Sequence, residues 1–216
     1  MKKSGRYDTS TLLEDQHEPG SRGRVLKNLL GITSKREMDA REALEQMRTF
    51  HELVTVYSLD HRFTAQDICH MHKLWLGGIY PWAGMPRQVN ISKGGFTFAM
   101  AGQVAKLLQQ LESGPLAEFT PCRFSDMTAL AHALAVVHAE LVLIHPFREG
   151  NGRVARMLAV LMGLQAGLPP LDFDGIKGKK KQAYFAAVQA GMNYDYQPME
   201  QVFGAVIART LQAGKK

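Results

Sequence analysis

Between His145 and Arg156 the chain reads His-Pro-Phe-Arg-Glu-Gly-Asn-Gly-Arg-Val-Ala-Arg, which gathers one histidine, one carboxylate, two glycines and three arginines. Histidine is the one type in this stretch that accepts a proton near neutral pH, so His145 is the candidate base. Gly150 and Gly152 let a backbone approach a phosphate with no Cβ in the way. A helix that starts beside them presents unpaired amides and its positive end, which is an anion site. Arg153 and Arg156 fall on the first turns of that helix and offer planar, multiple donors to phosphate oxygens. Glu149 is the lone carboxylate in this cationic stretch. Beside phosphates, a single carboxylate is the usual protein share of a magnesium site, with phosphate and water completing the octahedron. Together these parts bind a nucleotide tail, hold a metal on it and deprotonate a hydroxyl, which is phosphoryl or nucleotidyl transfer.

Such a loop needs a helix on either side. Upstream, Ser125 is expected to cap a helix whose Leu130, Leu134, Val137, Leu141 and Ile144 recur at steps of four and three, and Pro146 ends it. Downstream a helix is expected from Asn151 to Gln165, stopped by Gly167-Leu168-Pro169-Pro170. Ser34 with Glu37, and Thr64 with Asp67, have capping-box spacing and open two earlier helices, the first running to about Tyr57. In the second, Ile68, Met71 and Trp75 share one face. Val89 to Phe98 differs: β-branched and aromatic residues flank Gly94-Gly95, which reads as a β-hairpin. Helix resumes near Gln103 and is expected to stop at Ser113-Gly114-Pro115. Two more helices are expected near 179–191 and 196–212. The fold class is all-α with one small hairpin.

The stretch from His145 to Arg156 resembles the signature of the Fic (filamentation induced by cyclic AMP) family, His-x-Phe-x-(Asp/Glu)-Gly-Asn-Gly-Arg-x-x-Arg, and meets every defined position. Tyr80-Pro81-Trp82-Ala83-Gly84 and the hairpin resemble the family's helix-to-flap region, and the similarity runs from about Leu29 to Thr210. The resemblance implies a Fic-fold helical bundle with a hairpin flap, and a protein adenylyltransferase that moves AMP from ATP to a Ser, Thr or Tyr hydroxyl of a target protein. It implies His145 as general base, Glu149 as the Mg²⁺ ligand, and Gly150, Asn151 and Gly152 as the nest that touches the ribose–phosphate. Arg153 and Arg156 would orient the β- and γ-phosphates, and a buried Phe147 would anchor the loop. The flap, Lys93, Gly94, Gly95 and Phe96, would pair with an extended target segment by strand addition. One branch of the family transfers phosphate and alters Gly-Asn-Gly, and another uses a phosphocholine conjugate. This chain keeps Gly150-Asn151-Gly152 and both arginines, which favours AMP. The alternative on the same scaffold is a phosphotransferase or another nucleotidyltransferase.

Fic proteins also resemble one another in a brake, a helix with Ser/Thr-x-x-x-Glu-Gly/Asn whose glutamate pairs with the second motif arginine. Ser10 and Glu14 have that spacing, which implies a pair between Glu14 and Arg156 and a possible toxin held in check. The next residue is Asp15, a departure from the pattern. An antitoxin protein or a second copy of the chain is the other source of restraint. The segment 1–24, with its Glu18-Pro19-Gly20-Ser21-Arg22-Gly23 breaker cluster, is expected to be flexible. The folded domain is expected over 25–212.

The bulk properties bound these readings. A chain of 216 residues that is 45% hydrophobic suits one domain with its own core. No apolar run approaching the roughly 20 residues of a membrane span stands out, and the opening residues lack the apolar stretch of a signal peptide. Cys69 and Cys122 lack paired spacing, which fits free thiols and a cytoplasmic protein that needs no membrane. The net charge of +6 suits an anionic partner. It raises a reading from another class, a non-catalytic basic nucleic-acid-binding or adaptor protein. The intact His145 and Glu149 argue against that, so nucleic acid is not the expected partner. His70 and His72 stand two apart on a helix and point to different faces, so zinc is not expected there. His72 is expected to pack or to bond within its helix, and His138 to be structural. Lys177-Gly178-Lys179-Lys180-Lys181 fits a solvated helix start, or contact with RNA or an acidic target.

Overall fold

The computed structural model describes Thr9 and residues 11–213. The two expected caps set the first helices. The Ser34 side chain accepts from Glu37 N at the start of α1 (Lys35–Val56), and Thr64 with Asp67 forms a reciprocal capping box at α2 (Ala65–Leu76). Each satisfies amides that a helix N-terminus leaves open. Ile68, Met71 and Trp75 are buried on the face of α2 that the spacing indicated. After α2 the chain makes the hairpin, with β1 (Ser92–Lys93) antiparallel to β2 (Phe96–Thr97) and Lys93 opposite Phe96. Gly94 and Gly95 both have positive φ, 58° and 80°, which is what a two-residue hairpin turn requires.

The helix α3 (Val104–Leu111) does not stop at Ser113-Gly114-Pro115. A π-helical stretch, Glu112–Leu116, carries the chain through to the single turn α4 (Ala117–Phe119). The wider turn accommodates Pro115, which has no amide to give and would crowd a regular helix. Next comes α5 (Met127–Ile144). Its cap is Asp126, whose Oδ2 accepts from Ala129 N at 2.8 Å, so the cap lies one residue beyond the expected Ser125. Most of its side chains are buried, and its chief neighbours are α6 (Asn151–Gln165) and α8 (Gln197–Ala213), with α7 (Lys179–Ala190) beside them. The helix is therefore enclosed on most sides rather than along one stripe. By length and composition it could cross a membrane, contrary to the sequence reading, and 72% of it is buried within the fold.

Residues 11–24 correct the expectation of a flexible 1–24 segment for its described part. A short 3-10 turn, Leu13–Asp15, is followed by a β-bridge between His17 and Leu26. Glu14 and Ser21 are buried. Asn28 holds the return: its Oδ1 accepts from Leu30 N and Ile32 N, and its Nδ2 donates to Leu26 O and Ile32 O. Such turns are common where an amide side chain substitutes for the missing backbone partners.

Candidate active site

His145 is the residue at which α5 ends. Its backbone is left-handed, φ 50° and ψ 59°, and its amide still donates to Leu141 O. A non-glycine residue in this region needs neighbours that hold it there. Arg87 provides them. Its buried guanidinium donates to His145 O at 2.6 Å, Val89 O at 2.7 Å, Ile144 O at 3.3 Å and Ala99 O, while Arg87 N donates to Pro146 O at 2.8 Å. Four carbonyls satisfy a charge that is costly to bury alone. The His145 ring stacks on Phe98 at 3.6 Å, and its Nδ1 lies 3.1 Å from Val142 O. A carbonyl only accepts, so Nδ1 carries the proton and Nε2 keeps its lone pair. Burial, set against that backbone bond, lowers the pKa of His145 from 6.5 to about 4 and favours the neutral base.

The loop after it is braced from inside. Phe147 is fully buried and stacks on His72 at 3.8 Å. His72 lies beneath the loop: Nε2 is 3.1 Å from Glu149 O, and Nδ1 accepts from Gly84 N at 2.7 Å. Of the two roles expected of His72, it packs, buried against Phe147, but it does not bond within its own helix; its ring leaves the helix and joins two loops. Burial lowers its pKa to about 3, so it is a neutral strut. Asn151 is used in two ways. Its side chain accepts from Phe147 N at 2.8 Å and donates to Phe147 O at 2.7 Å, closing the loop on itself, so the backbone amide is what it can offer a phosphate. At Gly150, φ is 84° and a Cβ would stand 2.7 Å from Trp75 Cζ3, which only glycine avoids. Gly152 has no such neighbour, and its open surface lies on the first turn of α6 where an anion would sit.

The two motif arginines are placed differently. Arg153 NH1 is 2.7 Å from Glu42 Oε2, its NH2 is 3.3 Å from Glu149 Oε1, and its guanidinium stacks on Trp75 at 4.5 Å. Glu42 is itself buried on α1 and accepts from Tyr80 OH at 2.7 Å. Arg153 is therefore committed to two carboxylates and a ring, and the geometry does not present it to β- and γ-phosphates as expected. Arg156 is exposed on the next turn and donates only to Gly152 O, at 3.1 Å, among the described residues. It is free to swing onto a phosphate. Near it His138 bridges Ala155 O and Tyr184 OH at 3.2 and 2.7 Å, the structural role expected of it. Glu149 is exposed. No cluster of three or more His, Cys, Asp or Glu side chains that could cage a metal occurs among the described residues. A lone carboxylate fits a magnesium ion that arrives on phosphates, not a protein-enclosed one.

The hairpin covers this site through Phe98, two residues beyond Phe96 and on the same side of the strand; Lys93, Gly94 and Gly95 are exposed. Glu14 sits at the hairpin's base. Its Oε1 accepts from Gln88 N at 2.6 Å, and Asp15 is 3.5 Å from Arg148. The expected pair between Glu14 and Arg156 is thus not formed, because the carboxylate is turned to the flap instead. Ser10 lies outside the described residues. Glu42, His72, Arg87 and Phe98 were missed as site residues. Glu42 had a signal: it shares a helical face with Met38, Thr49 and Leu53, and a charge on a core stripe needs a partner. Arg87 had none.

A helical bundle whose central turn carries a base, an amide nest and a free arginine under a hairpin defines a nucleotide-handling domain. Residues 62–162 match the Fic/DOC family model, and this part of the chain is a Fic domain. It is 31% identical over 154 residues to the protein adenylyltransferase VbhT of Bartonella schoenbuchensis, covering 71% of this chain and 31% of that protein. The chain spans under a third of the length of the curated adenylyltransferases it matches. Its fold is similar to the N-terminal Fic domain of a VirB-translocated Bep effector protein of Bartonella quintana, with a TM-score of 0.69 and 26% identity over 84% of this chain and 87% of that one. The same domain with bound ADP gives a TM-score of 0.67 at 25% identity, over 84% and 89%.

Proposed function

We propose that this domain transfers AMP from ATP to a hydroxyl of a protein target. The observation that carries the reading is His145, whose Nδ1 is pinned to Val142 O so that Nε2 keeps its lone pair and can act as a base in the loop that leads into α6. His145 Nε2 takes the proton of the incoming hydroxyl. The oxygen then forms a bond to the α-phosphorus, the bond from phosphorus to the bridging oxygen breaks, and pyrophosphate leaves. The first amides of α6 and the mobile guanidinium of Arg156 hold the phosphate charge. Arg153 acts indirectly, fixing the carboxylate of Glu149. Glu149 is the residue that would hold Mg²⁺, which supplies neutralising charge to the phosphates when bound.

The target segment adds as a strand to the edge of the hairpin, where Lys93, Gly94, Gly95 and Phe96 lie. The identity to adenylyltransferases and the intact Gly-Asn-Gly support AMP as the transferred group. The test is intact-mass analysis of candidate proteins after incubation with ATP and Mg²⁺. A mass increase of AMP is expected, and an increase of phosphate alone would overturn the reading. We assign the domain no role in binding nucleic acid or membrane, and restraint by an antitoxin or a second copy stays part of the proposal. A cytoplasmic setting suits the two free cysteines.

A further inference from the structure

The lysines at the start of α7 are not absorbed by the site. Lys179, Lys180 and Lys181 form the first turn, are exposed, and make no ion pair among the described residues. No acidic residue shares that turn, so three ammonium groups face the positive end of the helix and one another. This arrangement is unfavourable until an anion arrives. One turn on, the exposed Phe185 ring carries two cations: Lys181 Nζ is 6.0 Å from its centroid and Lys93 Nζ is 5.9 Å from it. Lys181 belongs to α7 and Lys93 to β1, so Phe185 joins the basic turn to the flap. Lys177 stands just ahead of the same turn.

We propose that Lys93, Phe185 and Lys181, flanked by Lys177, Lys179 and Lys180, form a docking surface for acidic residues of the protein target, next to the hydroxyl that is modified. The inference rests on the reading of the hairpin as the target's docking edge. The aromatic ring fixes the two ammonium groups beside it, so an incoming carboxylate meets donors that are already placed. The phosphates of ATP have their own donors in the amides of α6 and Arg156. A nucleic-acid base would need an open ring face to stack on, and here two ammonium groups share the ring. The surface borders the strand edge along which an extended peptide would run, so acidic side chains on either side of the acceptor would reach it.

The test is direct binding to the wild-type chain, which does not depend on catalysis. Three fluorescein-labelled probes are compared by anisotropy: a tyrosine peptide flanked by glutamates, the same peptide flanked by lysines, and a single-stranded DNA oligonucleotide. The glutamate peptide is expected to bind roughly tenfold more tightly than the lysine peptide, the size of two exposed charge pairs. Lys181→Glu places an acid at a helix N-terminus, where it favours folding. That variant should lose the preference while its affinity for ATP is unchanged. Equal binding of the two peptides, an unaltered preference in Lys181→Glu, or DNA binding tighter than either peptide would each overturn the proposal. Acidic preference without AMP transfer would sink the transfer reading and leave this surface standing; transfer without acidic preference would do the reverse.

Discussion

The loop from His145 to Asn151 and the hairpin from Ile91 to Phe98 meet at the His145 ring, and they are held in opposite ways. Every bend of the loop has a buried partner: Arg87 on the His145 carbonyl, His72 under Phe147 and Glu149, the Asn151 side chain across Phe147, and Glu42 behind Arg153. The hairpin has two residues in each strand, an exposed turn and one ring, Phe98, against the base. A region that must place reacting atoms is built rigidly, because misplacement by even an ångström is costly. A region that must accept a varied peptide keeps its backbone edge open.

Five measurements break or sharpen this contrast, beginning with the largest effect. His145→Ala should reduce transfer of label from α-labelled ATP by about 10²–10⁴-fold, the share of a general base, with ATP affinity nearly unchanged. Transfer at the wild-type rate would remove His145 from the chemistry. Glu42→Ala leaves Arg153 without its buried partner and Tyr80 without its acceptor. A loss of about 3 kcal/mol is expected, the low end for a broken buried pair because Arg153 is partly exposed. The melting temperature should fall, and higher Mg²⁺ should be needed as Glu149 loosens. Glu42→Gln, which keeps the Tyr80 bond, should fall between the two.

Acid tests the same rigidity. His72 and His138 have pKa values lowered by burial from 6.5 to about 3 and about 4. The unfolded chain takes up protons below 6.5 and these folded residues do not, so stability is complete above 6.5 and is lost as the pH falls toward 4. At pH 5.5 the loss is on the order of 1 kcal/mol for each residue, read as a lower melting temperature than at pH 7. A melting temperature that does not change between these values would mean that neither histidine is held neutral. The smallest effects belong to the hairpin. Ser92→Pro removes a backbone donor and should raise the target's KM severalfold, about the worth of one hydrogen bond, while the KM for ATP stays put. Glu14→Gly frees Gln88 N at the hairpin's base and should act in the same direction, more weakly. A rise in auto-modification would instead restore Glu14 as a brake.

The helices and the chemistry were legible because each rests on local rules. Thr64 and Asp67 announce their cap, Ile68, Met71 and Trp75 their face, and the run from His145 to Arg156 its anion site. What stayed hidden was long-range. His72 reaches 77 residues along the chain to Glu149, and Glu14 reaches 74 to Gln88. Spacing within one helix cannot reveal such contacts. Arg153 and Arg156 look alike in the sequence, and only the position of α1 shows that one is held and the other is free. The continuation of α3 through Pro115 was missed because a π-turn tolerates a residue that a regular helix rejects.

The enclosure of α5 has a consequence during synthesis. This apolar rod packs chiefly against α8, the last described helix, so it leaves the ribosome well before its cover exists. At about 5–20 residues per second, the wait lasts on the order of seconds. Through that interval the nascent chain displays a stretch long enough and greasy enough to engage chaperones or a membrane-insertion channel. Chains cut before Gln197 would stay in that condition for good, and are expected in inclusion bodies rather than in the supernatant.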